Sequence, residues 1–81
     1  MVLWSLQKQL LPYTYGRMDN QIRQLRKKRK VTQEQLADAL EVTRQTINAI
    51  ELGKYSPSLE LAFKISLFFK KPVEQVFHFI G

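Results

Sequence analysis

The chain has 81 residues, a net charge of +6 at pH 7 and 44% hydrophobic residues. This length is enough for one small domain with a single core. The sequence has no cysteine, which excludes a disulfide framework, a zinc–thiolate site and a thiol nucleophile, so packing or dimerisation must stabilise the fold. We expect a cytoplasmic protein, because a cysteine-free chain is compatible with a reducing compartment.

The first seventeen residues differ from the rest and are predicted to be an N-terminal extension or arm. Leu3, Leu6 and Leu10 recur at helical spacing beside Trp4, and a break follows at residues 12–16. A disordered leader, a helix packed on its own domain and an arm that contacts a partner subunit are all open, and the large apolar residues favour packing. The segment lacks the pattern of a signal peptide and is too short to span a bilayer, so no membrane partner is expected.

The positive charge is concentrated in the first part of the chain. Residues 1–31 carry eight Lys or Arg against one Asp, and most of them belong to Arg23 and the block RKKRK at 26–30. Such a block suits a polyanion such as nucleic acid. A solvated helix end whose cations complement the macrodipole explains any single one of these residues equally well.

A first helix is predicted from about residue 19 to Lys30 within a domain that covers residues 18–81. Asp19 and Asn20 are both favourable N-cap residues. Ile22 and Leu25 fall on one face at helical spacing and should point inward, whereas the outer face is cationic.

The run TQEQLADALEVTRQTINAIELGK from Thr32 to Lys54 predicts two short helices joined by a tight turn. Thr32 and Gln35 have the spacing of a capping box, Thr43 is a second N-cap candidate, and Gly53 is the expected left-handed stop. The apolar residues that should hold the two helices are Val31, Leu36, Leu40, Val42, Ile47 and Ile50. The polar and small residues left on the outer face of the second helix are Arg44, Gln45, Thr46, Asn48 and Ala49.

A longer core helix should follow, because Ser58 can cap it and apolar residues recur at three and four spacings. Its predicted buried stripe comprises Leu59, Leu61, Ala62, Ile65, Phe68 and Phe69. Phe63 lies off the centre of this stripe. It could be a surface residue, pack under the arm or contact another subunit, and core packing is the favoured interpretation.

The end of the chain is predicted to form a short helix that frays into an extended tail. After Pro72, the residues Val73, Val76, Phe77 and Ile80 return at helical spacing. Residues 76–80 are also rich in β-branched and aromatic side chains, so a strand that pairs with its copy in a dimer is the alternative.

The motif TQEQLADALEVTRQTINAIELGKYSPS resembles the core of the Cro/repressor-type, or xenobiotic-response-element-like, helix-turn-helix regulators, over roughly residues 18–77. The resemblance implies an all-α, five-helix bundle whose third helix enters the DNA major groove. It implies a sequence-specific regulator of transcription that binds double-stranded DNA, a repressor acting as a homodimer. A protein-interaction module or antitoxin-like adaptor on the same scaffold is the alternative.

The resemblance also implies which residues contact DNA. The expected base-contacting residues are Arg44, Gln45, Thr46, Asn48 and Ala49. The expected phosphate-contacting residues are Gln33, Thr43, Lys54, Arg26 and Lys28. Arg26 is further expected to form a partly buried ion pair with Glu51 between the first and third helices, the alternative being an exposed pair of little energetic weight.

Three residues depart from the family pattern. Glu41 stands where a turn glycine is usual, so either a left-handed backbone is accepted at a cost of about 1–2 kcal/mol or the turn has another shape. Leu52 stands where relatives have a polar residue that contacts the DNA backbone. This change either weakens the phosphate contact or places Leu52 in a contact between subunits. Pro72 occupies the place of a Ser or Thr cap, leaving the start of the last helix uncertain.

Chemistry beyond binding has little support in the sequence. His78 is the only histidine, and the chain has no metal-binding pair of histidines and no glycine-rich phosphate loop. We therefore expect no enzymatic activity, no cofactor and no small-molecule ligand. The dimer surface is expected near Phe77, Phe79 and Ile80, at the end away from the reading helix.

Overall fold

The computed structural model describes residues 17–80, so the predicted arm, apart from Arg17, lies outside the described residues. The elements in chain order are β1 (Arg17–Asn20), α1 (Ile22–Arg29), α2 (Gln33–Leu40), α3 (Arg44–Glu51), α4 (Leu59–Phe69), α5 (Val73–Val76) and β2 (Phe77–Ile80). The predicted five-helix bundle is confirmed, and it carries a two-stranded sheet in addition. Over the described range, no helix is long and apolar enough to cross a membrane.

The two strands pair antiparallel and bring both ends of the described chain together. Their register places Arg17 opposite Ile80 and Asn20 opposite Phe77. The predicted short helix with an extended tail is confirmed, although the helix ends at Val76 and does not include Phe77 or Ile80. The extended tail pairs with β1 of the same chain, not with a copy as the alternative predicted. The β-branched and aromatic residues of FHFI favour an extended backbone, but the pairing partner is more than fifty residues away in sequence and no local pattern reveals it.

The first helix begins later than predicted, because residues 17–20 are committed to β1. Asn20 still acts at the helix start, since its Oδ1 accepts a hydrogen bond from the Ile22 N–H at 3.1 Å. Its Nδ2 donates to the Ile50 carbonyl oxygen at 2.9 Å. The Gln21 N–H donates to the Val76 carbonyl oxygen at 2.9 Å. These contacts join the sheet to the ends of α3 and α5.

The core lies between the helices and is almost wholly apolar. Its buried hydrophobic residues are Ile22, Leu36, Ala37, Leu40, Ile47, Ile50, Leu61, Ala62, Ile65, Phe69, Val76 and Phe77. The residues predicted to hold α2 and α3 are all among them except Val31 and Val42, which are half-buried and pack against the cluster. Burial of this apolar area is the main favourable term for the fold.

Two predictions for α4 are wrong, since Leu59 and Phe63 are exposed rather than packed in the core. The buried residues Leu61, Ile65 and Phe69 follow each other at spacing four. A residue two positions away on an α-helix is rotated by about 200°, so Leu59 and Phe63 face away from the core when Leu61 and Ile65 face into it.

The turn between α2 and α3 has a left-handed residue, as the family pattern requires, although that residue is a glutamate. Glu41 has φ 60° and ψ 42°, and the Val42 N–H donates to the Ala37 carbonyl oxygen at 3.0 Å. This 6→1 bond is the mark of a Schellman turn. Lys30 and Lys70 end α1 and α4 with the same conformation, at φ 58° and 56°. The turn between α2 and α3 thus keeps its usual left-handed geometry without glycine, and the backbone of Glu41 adopts that geometry at a conformational cost.

Candidate nucleic-acid interface

Hydroxyl caps start both helices of the α2–α3 pair at the predicted residues. The Gln35 N–H donates to Thr32 Oγ1 at 3.0 Å and the Thr32 N–H donates to Gln35 Oε1 at 2.9 Å, which completes the capping box. The Thr46 N–H donates to Thr43 Oγ1 at 3.2 Å, and the two threonine hydroxyls lie 2.9 Å apart. These caps set where α3 begins and therefore which of its side chains face outward.

The outer face of α3 presents polar side chains to solvent. Arg44, Gln45 and Asn48 are exposed, whereas Ile47 and Ile50 are fully buried. Thr46 and Ala49 are half-buried at the edges of this face. The five residues predicted to contact bases are thus brought to one surface, with the charged and amide groups in its most accessible part.

A buried ion pair joins α1 to the end of α3, which confirms the prediction for Arg26 and Glu51. Arg26 Nε donates to Glu51 Oε2 at 2.7 Å, and Nη2 donates to Oε1 at 3.1 Å. The two side chains are only 12% and 5% exposed. Arg26 Nη1 also donates to the Val31 carbonyl oxygen at 3.0 Å. Such a bidentate pair, shielded from solvent, fixes the angle between the two helices.

Gln33 extends this ion pair into a network that reaches the outer face of α3. Its Nε2 donates to Glu51 Oε1 and to Asn48 Oδ1, both at 3.1 Å. Gln33 and Arg26 therefore hold side chains of α3 in place. Their predicted phosphate contacts remain predictions, and Arg26 already places three donor nitrogens on protein acceptors.

An open groove beside α3 collects positive charge from α1, from the lysine that follows α1, and from α3. We define the basic groove by its cationic side chains Arg26, Lys27, Lys30 and Arg44, which lie around the first residues of α2. Thr32, Gln33 and Glu34 complete the lining near that helix start. A helix N-terminus with cations on both sides provides both N–H donors and a favourable potential for an anion.

Lys28, a predicted phosphate contact, lies elsewhere. It lines a separate depression with Leu25, Arg29, Phe69, Lys70 and Lys71. Lys27 and Lys30, which are not among the predicted contact residues, line the basic groove instead. The signal was available, because residues three apart share a helix face and residues 27 and 28 do not.

Arg29 has a structural role that the sequence did not indicate. Its Nη1 and Nη2 donate to the carbonyl oxygens of Phe68 and Phe69 at 2.8 and 2.7 Å. The guanidinium carbon also lies 5.5 Å from the centre of the Phe69 ring. The cation thus satisfies carbonyls at the C-terminus of α4, where positive charge is favourable.

The remaining predicted contact residues flank α3. Thr43 is exposed at its start, and Lys54 is exposed just beyond its end, where its N–H donates to the Ala49 carbonyl oxygen at 2.9 Å. Leu52 is exposed beside Gly53 in a shallow depression that Met18 and Asn20 also line. Among residues 17–80, no group of three or more His, Cys, Asp or Glu could hold a metal ion.

The capped α2, the left-handed turn and α3 lie within a segment that matches the model of a known family. Residues 22–76 match the family model described as helix-turn-helix. The chain belongs to the helix-turn-helix family. The resemblance to Cro/repressor-type members is thereby confirmed.

Several relatives of this helix-turn-helix chain are similar over most of its length. An uncharacterized HTH-type transcriptional regulator of Methanocaldococcus jannaschii is 53% identical over 60 residues, which cover 74% of this chain and 91% of the relative. The uncharacterized HTH-type transcriptional regulator YgzD of Bacillus subtilis is 47% identical over 60 residues, with the same two coverages of 74% and 91%.

A solved structure shares the helix-turn-helix fold. A crystal structure from Bacteroides fragilis, of a protein suggested to bind DNA, has a TM-score of 0.68 and covers 75% of this chain and 98% of its own. Its sequence identity is 23%, so this similarity concerns the fold alone.

Proposed function

We propose that this chain regulates transcription by binding double-stranded DNA in a sequence-specific manner, as a homodimeric repressor. The observation that carries the proposal is the continuity of the basic groove with the exposed polar face of α3, through Arg44. Family membership and the regulators among its relatives support it. α3 follows a capped α2 and a tight turn. This is the arrangement in which helix-turn-helix proteins place a reading helix in the major groove.

The exposed side chains of α3 suit the edges of base pairs. Arg44 can donate two hydrogen bonds to O6 and N7 of a guanine, and Gln45 or Asn48 can pair with N6 and N7 of an adenine. Thr46 and Ala49 offer methyl groups to a thymine. Asn48 Oδ1 accepts from Gln33, which orients that amide before DNA arrives. Each good pair discriminates by about 1–3 kcal/mol against a wrong base.

The basic groove would position the protein on the phosphate backbone. Lys27 and Lys30 replace Lys28 in this proposal because they lie beside Arg44 and the start of α2. The N-terminus of α2, with Gln33, would meet a phosphate between them, while Thr43 and Lys54 flank α3. Arg26 is assigned to the ion pair with Glu51 rather than to phosphate.

The homodimer follows from the small area that one reading helix can cover. Two copies on half-sites about 34–36 Å apart would double the contacts and read a palindrome. Occupancy of a promoter by such a dimer is sufficient for repression, since no further surface has to contact the transcription machinery.

Selection of bound sequences from a random duplex pool tests this proposal, because it reports specificity and half-site symmetry together. We expect an enriched palindrome. On that sequence Arg44→Ala should weaken binding by roughly 5-fold to 150-fold, with little change on random duplex. Lys27→Ala should weaken binding to all sequences and reduce the salt slope by about one, whereas Lys28→Ala is the matched control. No enrichment and no salt-dependent binding would refute it.

A second candidate function is an adaptor or antitoxin-like module whose main partner is a protein. The observation that favours it is the set of large exposed apolar residues on α4, namely Leu59, Phe63 and Leu67. Failure to bind random duplex even at low salt would favour this candidate, because non-specific DNA binding is electrostatic and strongest there.

A further inference from the structure

Three large apolar residues of α4 form a stripe on the side of that helix that faces away from the core. Leu59, Phe63 and Leu67 are 72%, 52% and 75% exposed. Since they follow one another at spacing four, they lie on one face and extend over about 12 Å of helix. We call these three residues the α4 stripe. A contiguous apolar patch of a few hundred Å² on a small protein is often functional.

Two opposite charges flank the stripe on one side. Glu60 and Lys64 directly follow Leu59 and Phe63 in sequence, and Lys64 Nζ lies 3.7 Å from Glu60 Oε2. Both side chains are well exposed, at 80% for Glu60 and 45% for Lys64. An acid and a base one turn apart on the same flank make this surface complementary to itself when one copy is rotated by a two-fold axis.

We propose that the α4 stripe is the surface through which two copies of this chain associate. This inference rests on the homodimer of the proposed function and places it on α4 instead of at the predicted Phe77, Phe79 and Ile80. Phe77 is only 6% exposed and belongs to the core, so it is not available to a partner. None of the stripe residues lines the basic groove, so a dimer formed here leaves the DNA-facing groove free.

The geometry selects an antiparallel pair of α4 helices around a two-fold axis near residues 62 and 63. At 1.5 Å rise per residue, Leu59 then lies opposite the partner's Leu67 with an axial offset of about 2 Å. Phe63 meets its own copy, and Glu60 lies opposite the partner's Lys64 with a similar offset. A parallel pair, related by a two-fold axis along the helices, would instead place the two Glu60–Lys64 flanks on opposite sides of the interface, where these charges could not pair between copies.

The size of the stripe predicts a weak dimer in the absence of DNA. Three residues offer roughly a few hundred Å² per copy, which is less than the ~800 Å² per partner of a standard stable interface. Adjacent half-sites would hold two copies at a high effective concentration and complete the association. We therefore expect a monomer–dimer equilibrium in the free protein that shifts to dimer on palindromic DNA.

A charge-exchange experiment on the full chain tests the partner and the orientation together. Glu60→Lys places two lysines on the flank, and Lys64→Glu places two glutamates there. In sedimentation velocity, each variant alone should dimerise at least ten times more weakly than the wild type, and their equimolar mixture should regain dimers. If both variants dimerise as tightly as the wild type, or if the wild type is a monomer at every concentration, the inference is wrong.

A cross-link gives an independent test, because the chain has no cysteine of its own. Under mild oxidation Phe63→Cys should form a disulfide between copies, and Ala39→Cys, exposed on α2, should not. Phe79→Ser removes an exposed aromatic outside the stripe and should leave the dimer constant unchanged. Equal cross-linking at both cysteine positions would overturn the inference.

Two further measurements separate this inference from its alternatives. If deletion of residues 2–11 converts a monomeric wild type into a dimer, the arm occupies the stripe and the second-copy assignment is overturned. Binding to a duplex with a single half-site should be unchanged in Glu60→Lys. If no variant binds DNA while the mixture still dimerises, the proposed function fails and the assignment of the dimer surface stands.

Discussion

Replacement of Arg26 by alanine should destabilise the fold far more than the same change at its neighbour Lys27. The substitution removes the donors for three hydrogen bonds, two to Glu51 and one to the Val31 carbonyl oxygen. It leaves the Glu51 carboxylate, which is only 5% exposed, without its cation. Breaking a buried pair in this way costs about 3–5 kcal/mol.

That loss is large for a domain of this size. Total stability should be roughly 5–12 kcal/mol, so Arg26→Ala should remove a substantial part of it and lower Tm by more than about 12 °C. Lys27→Ala is the matched control, because Lys27 is exposed on the same helix. Its effect should stay within about 0.5 kcal/mol.

Urea denaturation followed by far-UV circular dichroism gives both free energies of unfolding. The double variant Arg26→Met/Glu51→Leu provides a decisive further measurement. If uncompensated charge causes the loss, apolar side chains of similar volume at both positions should recover most of the stability. Equal, small effects of Arg26→Ala and Lys27→Ala would refute the assignment of a stabilising buried pair.

Three other substitutions test single features of the fold by the same denaturation assay. Glu41→Gly should raise stability by up to about 1 kcal/mol, because relief of the left-handed backbone exceeds the entropy cost of glycine; a loss would contradict this. Thr32→Ala should cost about 1 kcal/mol through loss of the capping box, and Thr32→Ser should retain most of it; equal losses would speak against capping. Arg29→Ala should cost about 1–3 kcal/mol of stability, since carbonyls at the end of α4 lose a charged donor. Arg23 is exposed on the same helix, so Arg23→Ala is the control; an equal loss of stability in both variants would contradict the role of Arg29.

The helix-turn-helix part of the fold could be predicted because its signals are local. Thr32 and Gln35 are three residues apart, and the apolar spacing from Leu36 to Ile50 repeats on the scale of one helical turn. Both caps therefore lie where the sequence places them. The outward face of α3 follows from the same periodicity, which is why its exposed polar residues could be named in advance.

The sheet, and the different roles of the cationic residues 26–30, could not be predicted in this way. β1 and β2 stabilise each other only after the helices have brought them together, and neither is a stable strand alone. Within the block, Arg26 binds a carboxylate and Arg29 binds carbonyl groups, while Lys27 and Lys30 line the groove. Helical spacing separates Lys27 from Lys28, but only the fold shows which of these faces borders the start of α2 and which borders the end of α4.

The sequence by itself determined α2 and α3, their caps and the exposed polar face of α3, because hydrogen bonds and apolar periodicity within one or two turns decide those features. The tertiary structure alone decided which cations line the basic groove, which aromatics are buried, and that the two ends of the described chain pair as a sheet. Those outcomes depend on side chains that are distant in sequence and meet only when the core closes. Phe69 and Phe63 show the difference, since one is core and the other is surface on the same helix.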